Sequence, residues 1–121
     1  MIYYVESPQI IGAAGNLPKI IEEYFGRVRT NDQNISIARM KSPAGWTEPP
    51  QCPGFDEYTI VLKGTLRVVT KNHTYDIHEG QAILISKNEW VQYSSPFEGG
   101  AEYIAVCVPA FSPDTVNRED K

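Results

Sequence analysis

The sequence predicts an all-β fold, either a sandwich or a small barrel, and three observations support this prediction. Gly and Pro, nine of each, interrupt the 121-residue chain at short intervals. Between them lie runs that are wholly apolar or that alternate between apolar and polar residues. These runs are rich in Val, Ile, Thr and Tyr, which favour strands. Several short strands in quick succession are typical of sandwiches and small barrels.

One short helix is expected near the start of the chain. Asn16 could accept the N-cap hydrogen bond, and Pro18 suits the first helical turn. Gly26 could end the helix in a left-handed conformation. Its apolar face would consist of Ile20, Ile21, Tyr24 and Phe25. We expect this face to pack across one side of the barrel.

Seven strands are predicted after this helix, separated by residues that tolerate tight or left-handed turns. Their ranges are 34–41, 56–63, 65–70, 74–77, 81–86, 91–94 and 101–108. No internal repeat or low-complexity segment divides the chain, so we interpret residues 1–121 as one domain. Its parts are an N-terminal arm over 1–33, a barrel over 34–111 and a polar tail over 112–121, which we expect to be loosely held.

Composition and charge disfavour several classes of protein. The chain has 11 basic and 15 acidic residues, a formal net charge of −4. These charges are interspersed, whereas a nucleic-acid-binding surface needs clustered Lys and Arg, so we expect no nucleic-acid partner. Every apolar run is shorter than the ~20 residues of a membrane span, so we expect no membrane partner. Two cysteines without a secretory signal predict free thiols and a cytoplasmic location.

The predicted strand 56–63 indicates a homodimer. Alternation places Glu57, Thr59 and Val61 on one face of this strand. The other face carries Tyr58, Ile60 and Leu62. Both faces are mostly apolar, but a small barrel buries only its interior. We therefore expect the N-terminal segment, a second copy or both to cover the outer face, and we predict a homodimer through it.

Two segments resemble the two motifs of the cupin superfamily. Residues 45–64, GWTEPPQCPGFDEYTIVLKG, resemble the first motif, which is Gly, five residues, His-x-His, three or four residues, Glu, six residues, Gly. Residues 80–91, GQAILISKNEWV, resemble the second, which is Gly, five residues, Pro-x-Gly-x-x-His. The resemblance implies a double-stranded β-helix, or jelly roll, with an open-mouthed interior pocket. The chain is similar to small single-domain, RmlC-like cupins and, more weakly, to cupins of ethanolamine utilisation.

The residues at the family's metal-binding positions depart from this pattern. Metal-binding cupins use three histidines and one glutamate, but here Gln51, Pro53 and Val91 stand at the histidine positions. Glu57 remains, and the side chains of proline and valine have no lone pair to donate. We therefore expect no transition metal and no other cofactor. A site rebuilt from Glu48, Gln51 and Glu57 would be rich in oxygen and would suit magnesium or calcium.

Without a metal, the candidate ligand-binding residues are polar and aromatic side chains that should face the pocket. They are Arg39, Trp46, Gln51, Glu57 and Tyr93. Burying the charge of Arg39 would cost on the order of several kcal/mol unless a carboxylate or an anionic ligand lies beside it. Arg39 could form an internal ion pair with Glu57, or it could reach water at the strand edge. Alternatively, Arg39 could orient a substrate carboxylate or phosphate while Glu57, with a raised pKa, transfers protons as the catalytic residue.

The remaining histidines and cysteines have simpler interpretations. His73 and His78 lie in or beside predicted turns, so we expect both at the surface. Cys107 lies in an apolar strand and is expected to be a small buried hydrophobic residue.

Three functions stay open at this point. The first is metal-independent binding of a small polar or anionic metabolite in the pocket. The second is a cofactor-free isomerase or lyase acting on a sugar or carboxylate substrate, with Glu57 transferring the proton. The third is a scaffold or assembly protein whose barrel is filled by side chains. Fold alone does not choose among them.

Overall fold

A computed structural model describes residues 1–119, which form nine β-strands. The strands are β1 (Gln9–Ile11), β2 (Ile20–Phe25), β3 (Ser36–Ser42), β4 (Trp46–Thr47), β5 (Asp56–Thr70), β6 (Thr74–His78), β7 (Ala82–Ile85), β8 (Val91–Ser95) and β9 (Ala101–Val108). Neighbouring strands pair antiparallel throughout this part of the chain. The all-β prediction is confirmed, and the curled antiparallel sheet agrees with a cupin jelly roll.

Strand β5 belongs to both halves of the curled sheet. Its first half pairs with β9 and β7, and its second half pairs with β8 and β6. The prediction of two separate strands, 56–63 and 65–70, is wrong because Gly64 continues the pairing, opposite Ala101. Gly64 has a φ of +74°, and a Cβ at this position would collide with the carbonyl oxygen of Gly100. A glycine is therefore required where β5 passes from one half to the other.

The predicted helix around residues 16–26 is wrong, since these residues contain the strand β2 and no helix. Ile21 and Glu23 are buried while Ile20 is exposed, which is the period-2 burial of a strand. Strand β2 pairs with β1 on one side and with β3 on the other. These sheet hydrogen bonds outweigh the local helix signals. Asn16 caps no helix, and its side chain instead accepts a hydrogen bond from the backbone of β4.

The segment after β9 is held in place up to residue 119, which corrects the expected loose tail. The N–H of Gly54 donates to the carbonyl of Thr115 at 2.8 Å, and the N–H of Cys52 donates to that of Asn117 at 3.2 Å. Val116 is buried beside Phe55 in a small apolar cluster. We call residues 112–119 the C-terminal segment. Residues 120–121 of the predicted tail lie outside the described residues.

Two apolar clusters form the core. The larger one contains Trp46, Val61, Leu66, Val68, Ile77, Ile85, Val91, Tyr93, Ala101 and Tyr103. The smaller one contains Phe55, Cys107 and Val116. Both clusters contribute residues to the same interior cavity.

The outer face of β5 is apolar and exposed, as its alternation predicts. Tyr58, Ile60 and Leu62 are 46 %, 49 % and 37 % exposed, whereas Thr59 and Val61 on the inner face are each 1 % exposed. Among residues 1–119, no helix is long and apolar enough to cross a membrane.

Candidate functional site

The interior of the barrel contains a cavity of about 50 Å³. A volume of this size has room for on the order of three to five water-sized groups. Much of its wall is apolar and comes from β2, β3 and β9. Its polar side chains are Lys19, Glu23, Ser36, Glu48, Gln51, Glu57, Tyr93, Tyr103 and Arg118. A small enclosed space with apolar walls and several polar groups is typical of a binding site for a small molecule.

Several separate parts of the chain supply the polar groups. Glu57 lies near the start of β5, on the same face as the buried Thr59. Tyr93 projects from the middle of β8. Lys19 directly precedes β2, and Arg118 lies in the C-terminal segment. The pocket therefore forms only when residues distant in sequence come together.

Glu57 has a carboxyl group with unusual proton affinity. Burial and, second, the neighbouring Glu48 carboxylate raise its pKa to about 7, while Lys19 opposes part of this rise. At neutral pH about half of the Glu57 side chains therefore carry a proton. Burial also raises the pKa of Glu48, against the opposing charges of Lys19 and Arg118. Glu48 and Glu57 thus both favour the protonated form more than in water.

Lys19 brings an ammonium group into the cavity. Its Nζ lies 4.1 Å from the centre of the Trp46 ring and 5.3 Å from the centre of the Tyr103 ring. Burial lowers its pKa, but Tyr103 and Glu48 more than offset this, and the pKa is raised overall. Lys19 therefore stays positively charged, supported by the faces of two aromatic rings.

Three of the lining residues have a buried polar atom without a hydrogen-bond partner in residues 1–119. They are Oε1 of Gln51, Nε of Arg118 and Oη of Tyr93, which faces the Glu57 carboxyl group but makes no hydrogen bond of normal geometry with it. A buried polar atom without a partner costs about 1–3 kcal/mol, so such atoms are uncommon in folded proteins. Their concentration around one cavity marks the place where a polar ligand or water would bind. Thr59 has a fourth such atom, its Oγ1.

The structure brings together Glu48, Gln51, Glu57 and Tyr93 of the residues that the sequence singled out, since all four line the cavity. Trp46 does not line it. This residue is fully buried in the core, and its Nε1 donates to the carbonyl of Ala14 at 3.0 Å. Trp46 was expected to form a wall of the ligand-binding pocket. It instead contacts the ammonium group of Lys19, which lines the cavity.

The expected position of Arg39 in the pocket is wrong. Arg39 lies on the outer face of β3, where its Nε donates to Oε1 of Glu22 at 2.9 Å. Its pKa is raised, first by this hydrogen bond, and it forms no ion pair with Glu57. The inward positions of β3 are the alternate ones, among them Ala38 and Met40. The register was misread because the outer face of this strand also carries an isoleucine, Ile37.

Sequence reasoning missed Lys19 and Arg118. Lys19 alternates with Ile21 and Glu23, so a strand interpretation of this segment would have placed it on the inner face. The chain gives little local signal for Arg118, apart from its spacing of two residues from the buried Val116. Its position depends on the docking of the C-terminal segment against residues 50–54.

The residues present do not fit the metal centre of metal-binding cupins. In residues 1–119, no cluster of three or more His, Cys, Asp and Glu is arranged to hold an ion. Glu48, Gln51 and Glu57 do share the cavity, but the charges of Lys19 and Arg118 act on both carboxyl groups.

Neither histidine lines the cavity, and the one thiol that does, that of Cys107, is not ionised. His73 and His78 are exposed, as expected. Both cysteines are free, with Cys52 exposed and Cys107 buried. Burial, and second the charge of Glu57, raise the pKa of the Cys107 thiol far above its usual range, so it stays protonated. Although Cys107 lines the cavity, a protonated thiol is a poor nucleophile.

A jelly-roll barrel with an interior cavity is the architecture of the cupin superfamily. The model of the cupin domain family matches residues 38–107, more than half of the chain. The chain belongs to this family, which confirms the resemblance of its two motifs.

The known proteins that are similar to the chain have names that describe different activities. The chain is 40 % identical over 101 residues to endoribonuclease YbeY of Myxococcus xanthus, a match that covers 84 % of this chain but 34 % of that protein. It thus spans about a third of the length of this relative. The polyketide cyclase RemF from Streptomyces resistomycificus is similar with a TM-score of 0.75 at 18 % identity, over 100 % of this chain and 88 % of that one. The Clostridium difficile EutQ protein is similar with a TM-score of 0.62 at 22 % identity, over 76 % and 63 %. These two structures share the fold with this chain.

Proposed function

We propose that this cupin binds a small polar or anionic metabolite in its barrel cavity and that it does so without a metal ion. The observation that carries the proposal is the group of unpartnered buried polar atoms, on Gln51, Tyr93 and Arg118, around one small cavity. A ligand that formed these hydrogen bonds would remove a free-energy cost that the folded protein otherwise carries. Lys19 and Arg118 add positive charge, which favours an anion.

A thermal-shift screen of small polar and anionic metabolites tests ligand binding. A compound that binds only the native state stabilises it by RT ln(1 + [L]/Kd), about 2.7 kcal/mol at a hundredfold excess over Kd. We expect Tyr93→Phe, which removes one unpartnered hydroxyl, to reduce the shift. Tyr4→Phe is the matched control, because Tyr4 is 80 % exposed and outside the cavity. A broad screen without any shift would favour a scaffold with a filled barrel instead.

Metal independence needs its own measurement. We expect protein purified without added ions to contain less than stoichiometric transition metal by elemental analysis. The shift produced by a bound metabolite should also be the same with and without a chelator. A stoichiometric transition metal, or binding that the chelator abolishes, would contradict this part of the proposal.

A second candidate function is a cofactor-free isomerase or lyase acting on a sugar or carboxylate substrate. The observation that favours it is the pKa of Glu57, about 7, in a cavity that Tyr93 also lines. A carboxylate at this pKa can take a proton from a substrate carbon and return it to the same or a neighbouring carbon near neutral pH. Tyr93 would donate a hydrogen bond to the substrate oxygen that gains negative charge.

Proton exchange with solvent separates the enzyme from the binding protein. A bound compound incubated in D₂O should exchange a carbon-bound proton for deuterium, which NMR detects. Glu57→Gln should abolish the exchange while the compound still binds. Absence of exchange in the wild-type protein, or exchange that persists in Glu57→Gln, would contradict the catalytic role.

We also propose that a second copy of the chain covers the outer face of β5. This face exposes Tyr58, Ile60 and Leu62, and the neighbouring strands add Leu84 and Val108, which are 48 % and 40 % exposed. In a two-fold symmetric dimer the same face of each copy forms the interface. The centre of the outer face of β5 is apolar and uncharged, so two copies of it can pack without charge repulsion. An apolar patch of this kind is typical of a protein–protein interface.

A further inference from the structure

We infer that the ligand is a short hydroxycarboxylate whose carboxylate accepts a hydrogen bond from Arg118 and whose hydroxyl group donates one to Gln51. This inference depends on the proposed function, since it names the class of molecule that the cavity binds. It starts from the kinds of hydrogen bond that the unpartnered atoms need. The Nε of Arg118 can only donate, whereas the Oε1 of Gln51 can only accept.

The two unpartnered atoms belong to neighbouring side chains. Gln51 and Arg118 are partners in an antiparallel bridge. Directly opposite residues of this kind have Cβ atoms about 4.5–5.5 Å apart and side chains on the same side. A ligand that serves both atoms therefore needs an acceptor and a donor only a few bonds apart. A carboxylate with a hydroxyl group on the adjacent carbon has this arrangement.

Glu48 and Glu57 share the cavity with Arg118 and Lys19, so the preference for a carboxylate is local and comes from the guanidinium of Arg118. The guanidinium of Arg118 and the ammonium of Lys19 both act on the carboxyl groups of the cavity, so both lie close to its polar end. Lys19 is held there by the rings of Trp46 and Tyr103. An anionic group between these cations gains charge-assisted hydrogen bonds, which are stronger than neutral ones.

The donor of the ligand is assigned as a hydroxyl group rather than an ammonium group. An ammonium beside Gln51 would lie next to the positive charge of Arg118, the partner of Gln51 in the bridge. A hydroxyl donates without adding charge. The hydroxyl of Tyr93, also unpartnered, can donate to or accept from either end of the ligand.

Size and wall polarity limit the ligand to a few carbon atoms. The cavity measures about 50 Å³, and its apolar wall includes Ile21, Ala38 and Ala105. This wall suits a short hydrocarbon segment and offers no partners for a chain of further hydroxyl groups, as a sugar would carry. Glycolate, with two carbons and five non-hydrogen atoms, therefore fits the inference, and longer polyols do not.

Calorimetric titration of the full chain with four matched probes tests the inference. Glycolate carries both groups, acetate lacks the hydroxyl, ethylene glycol lacks the carboxylate, and glycine has an ammonium in place of the hydroxyl. We expect glycolate to bind at least tenfold more tightly than each of the other three, because a site built to bond a hydroxyl rejects an analogue without it.

Two variants assign the groups. Arg118→Met should weaken glycolate at least tenfold and leave ethylene glycol within about twofold, while Gln51→Leu should reduce the preference for glycolate over acetate to about twofold. Arg29→Met is the control for loss of an arginine, because Arg29 lies outside the cavity and bonds the backbone of Ser7. Circular dichroism melting curves establish that each variant is folded. Should Arg118→Met fail to fold, Gln51→Leu with the four probes still decides.

The outcomes separate this inference from the function on which it rests. If acetate or glycine binds as tightly as glycolate, or if Gln51→Leu keeps the full preference, the hydroxycarboxylate assignment is overturned. The same holds if the metabolite screen finds a ligand of another class and no probe binds. In those cases metal-independent binding stands. If neither the screen nor the probes give any binding, both the inference and the proposed function fail.

Discussion

At the scale of single residues, burial of charged side chains determines the protonation states in the cavity. Glu57 would be fully ionised at neutral pH on the surface, but burial and Glu48 hold its pKa near 7. Lys19 and Arg118 limit this effect without cancelling it. The side chain is therefore poised to change charge in response to a ligand, because a bound anion would raise its proton affinity further.

The raised pKa of Glu57 predicts a change of stability with pH. The folded state holds this proton more tightly than the unfolded chain, whose pKa is near 4.5, so stability is lost as pH rises through about 7. Glu57→Gln removes this loss. We expect the variant to gain up to about 3 kcal/mol relative to wild type between pH 4.5 and pH 8. Urea denaturation at the two pH values measures the difference.

Glu89→Gln is the control for this measurement, since Glu89 is exposed. It should follow the pH dependence of the wild-type protein within about 0.5 kcal/mol. An equal pH dependence in Glu57→Gln and wild type would show that Glu57 does not titrate as described.

Alternation predicted part of the site and failed on β3. Glu57 and Tyr93 were placed correctly because their strands bury one face cleanly. Arg39 was misplaced because β3 has an isoleucine, Ile37, on its outer face, while Ala38 and Met40 face the cavity. Arg118 lay beyond any local pattern, since its position depends on a long-range contact. Alternation of apolar residues predicts which face of a strand is buried. On β3 an apolar residue on the outer face led to the wrong assignment.

At the scale of elements, β5 depends on Gly64. This residue lets one strand serve both halves of the sheet, and the carbonyl of Gly100 occupies the space that a side chain would need. We expect Gly64→Ala to destabilise the protein by about 2–4 kcal/mol, from the unfavourable φ together with the collision. Urea denaturation measures the loss.

Gly80 offers a matched comparison for this substitution. Its φ is +82°, similar to that of Gly64, but a Cβ there would meet nothing within 4 Å. Gly80→Ala should therefore cost only the backbone contribution, about 1–2 kcal/mol for a left-handed L-residue. Equal losses at the two positions would show that the close contact with Gly100 contributes nothing.

The N-terminal strand β2 shows why local signals misled the element assignment. Asn16, Pro18 and Gly26 each suit a helix end, and the apolar residues between them also fit a helical face. The same residues alternate in burial when β1 and β3 lie on either side. Hydrogen bonding to two neighbouring strands is a tertiary effect, which propensity in a short window does not contain. By contrast, the predicted strand 101–108 was correct at both ends. Buried and less buried residues alternate along its length, and Gly100 and Pro109 mark its two ends.

At the scale of the whole molecule, the apolar outer face of β5 predicts self-association. Light scattering at high concentration should give twice the 13.6 kDa mass of the chain. Ile60→Lys places a charge at the centre of the face, and we expect it to weaken the dimer at least tenfold. Val28→Lys is the control, because Val28 is 63 % exposed and lies outside this face. A wild-type protein with the mass of a single chain would contradict the prediction.

The docked C-terminal segment determines when the lining of the cavity is completed during synthesis. Lys19 emerges from the ribosome early, but Arg118 follows only after almost the whole described chain has been made. Until then the barrel can collapse around its apolar clusters, yet its cavity lacks one of the two cations that we assign to the ligand. If the proposed ligand needs Arg118, we expect it to stabilise the barrel only after the C-terminal segment has docked.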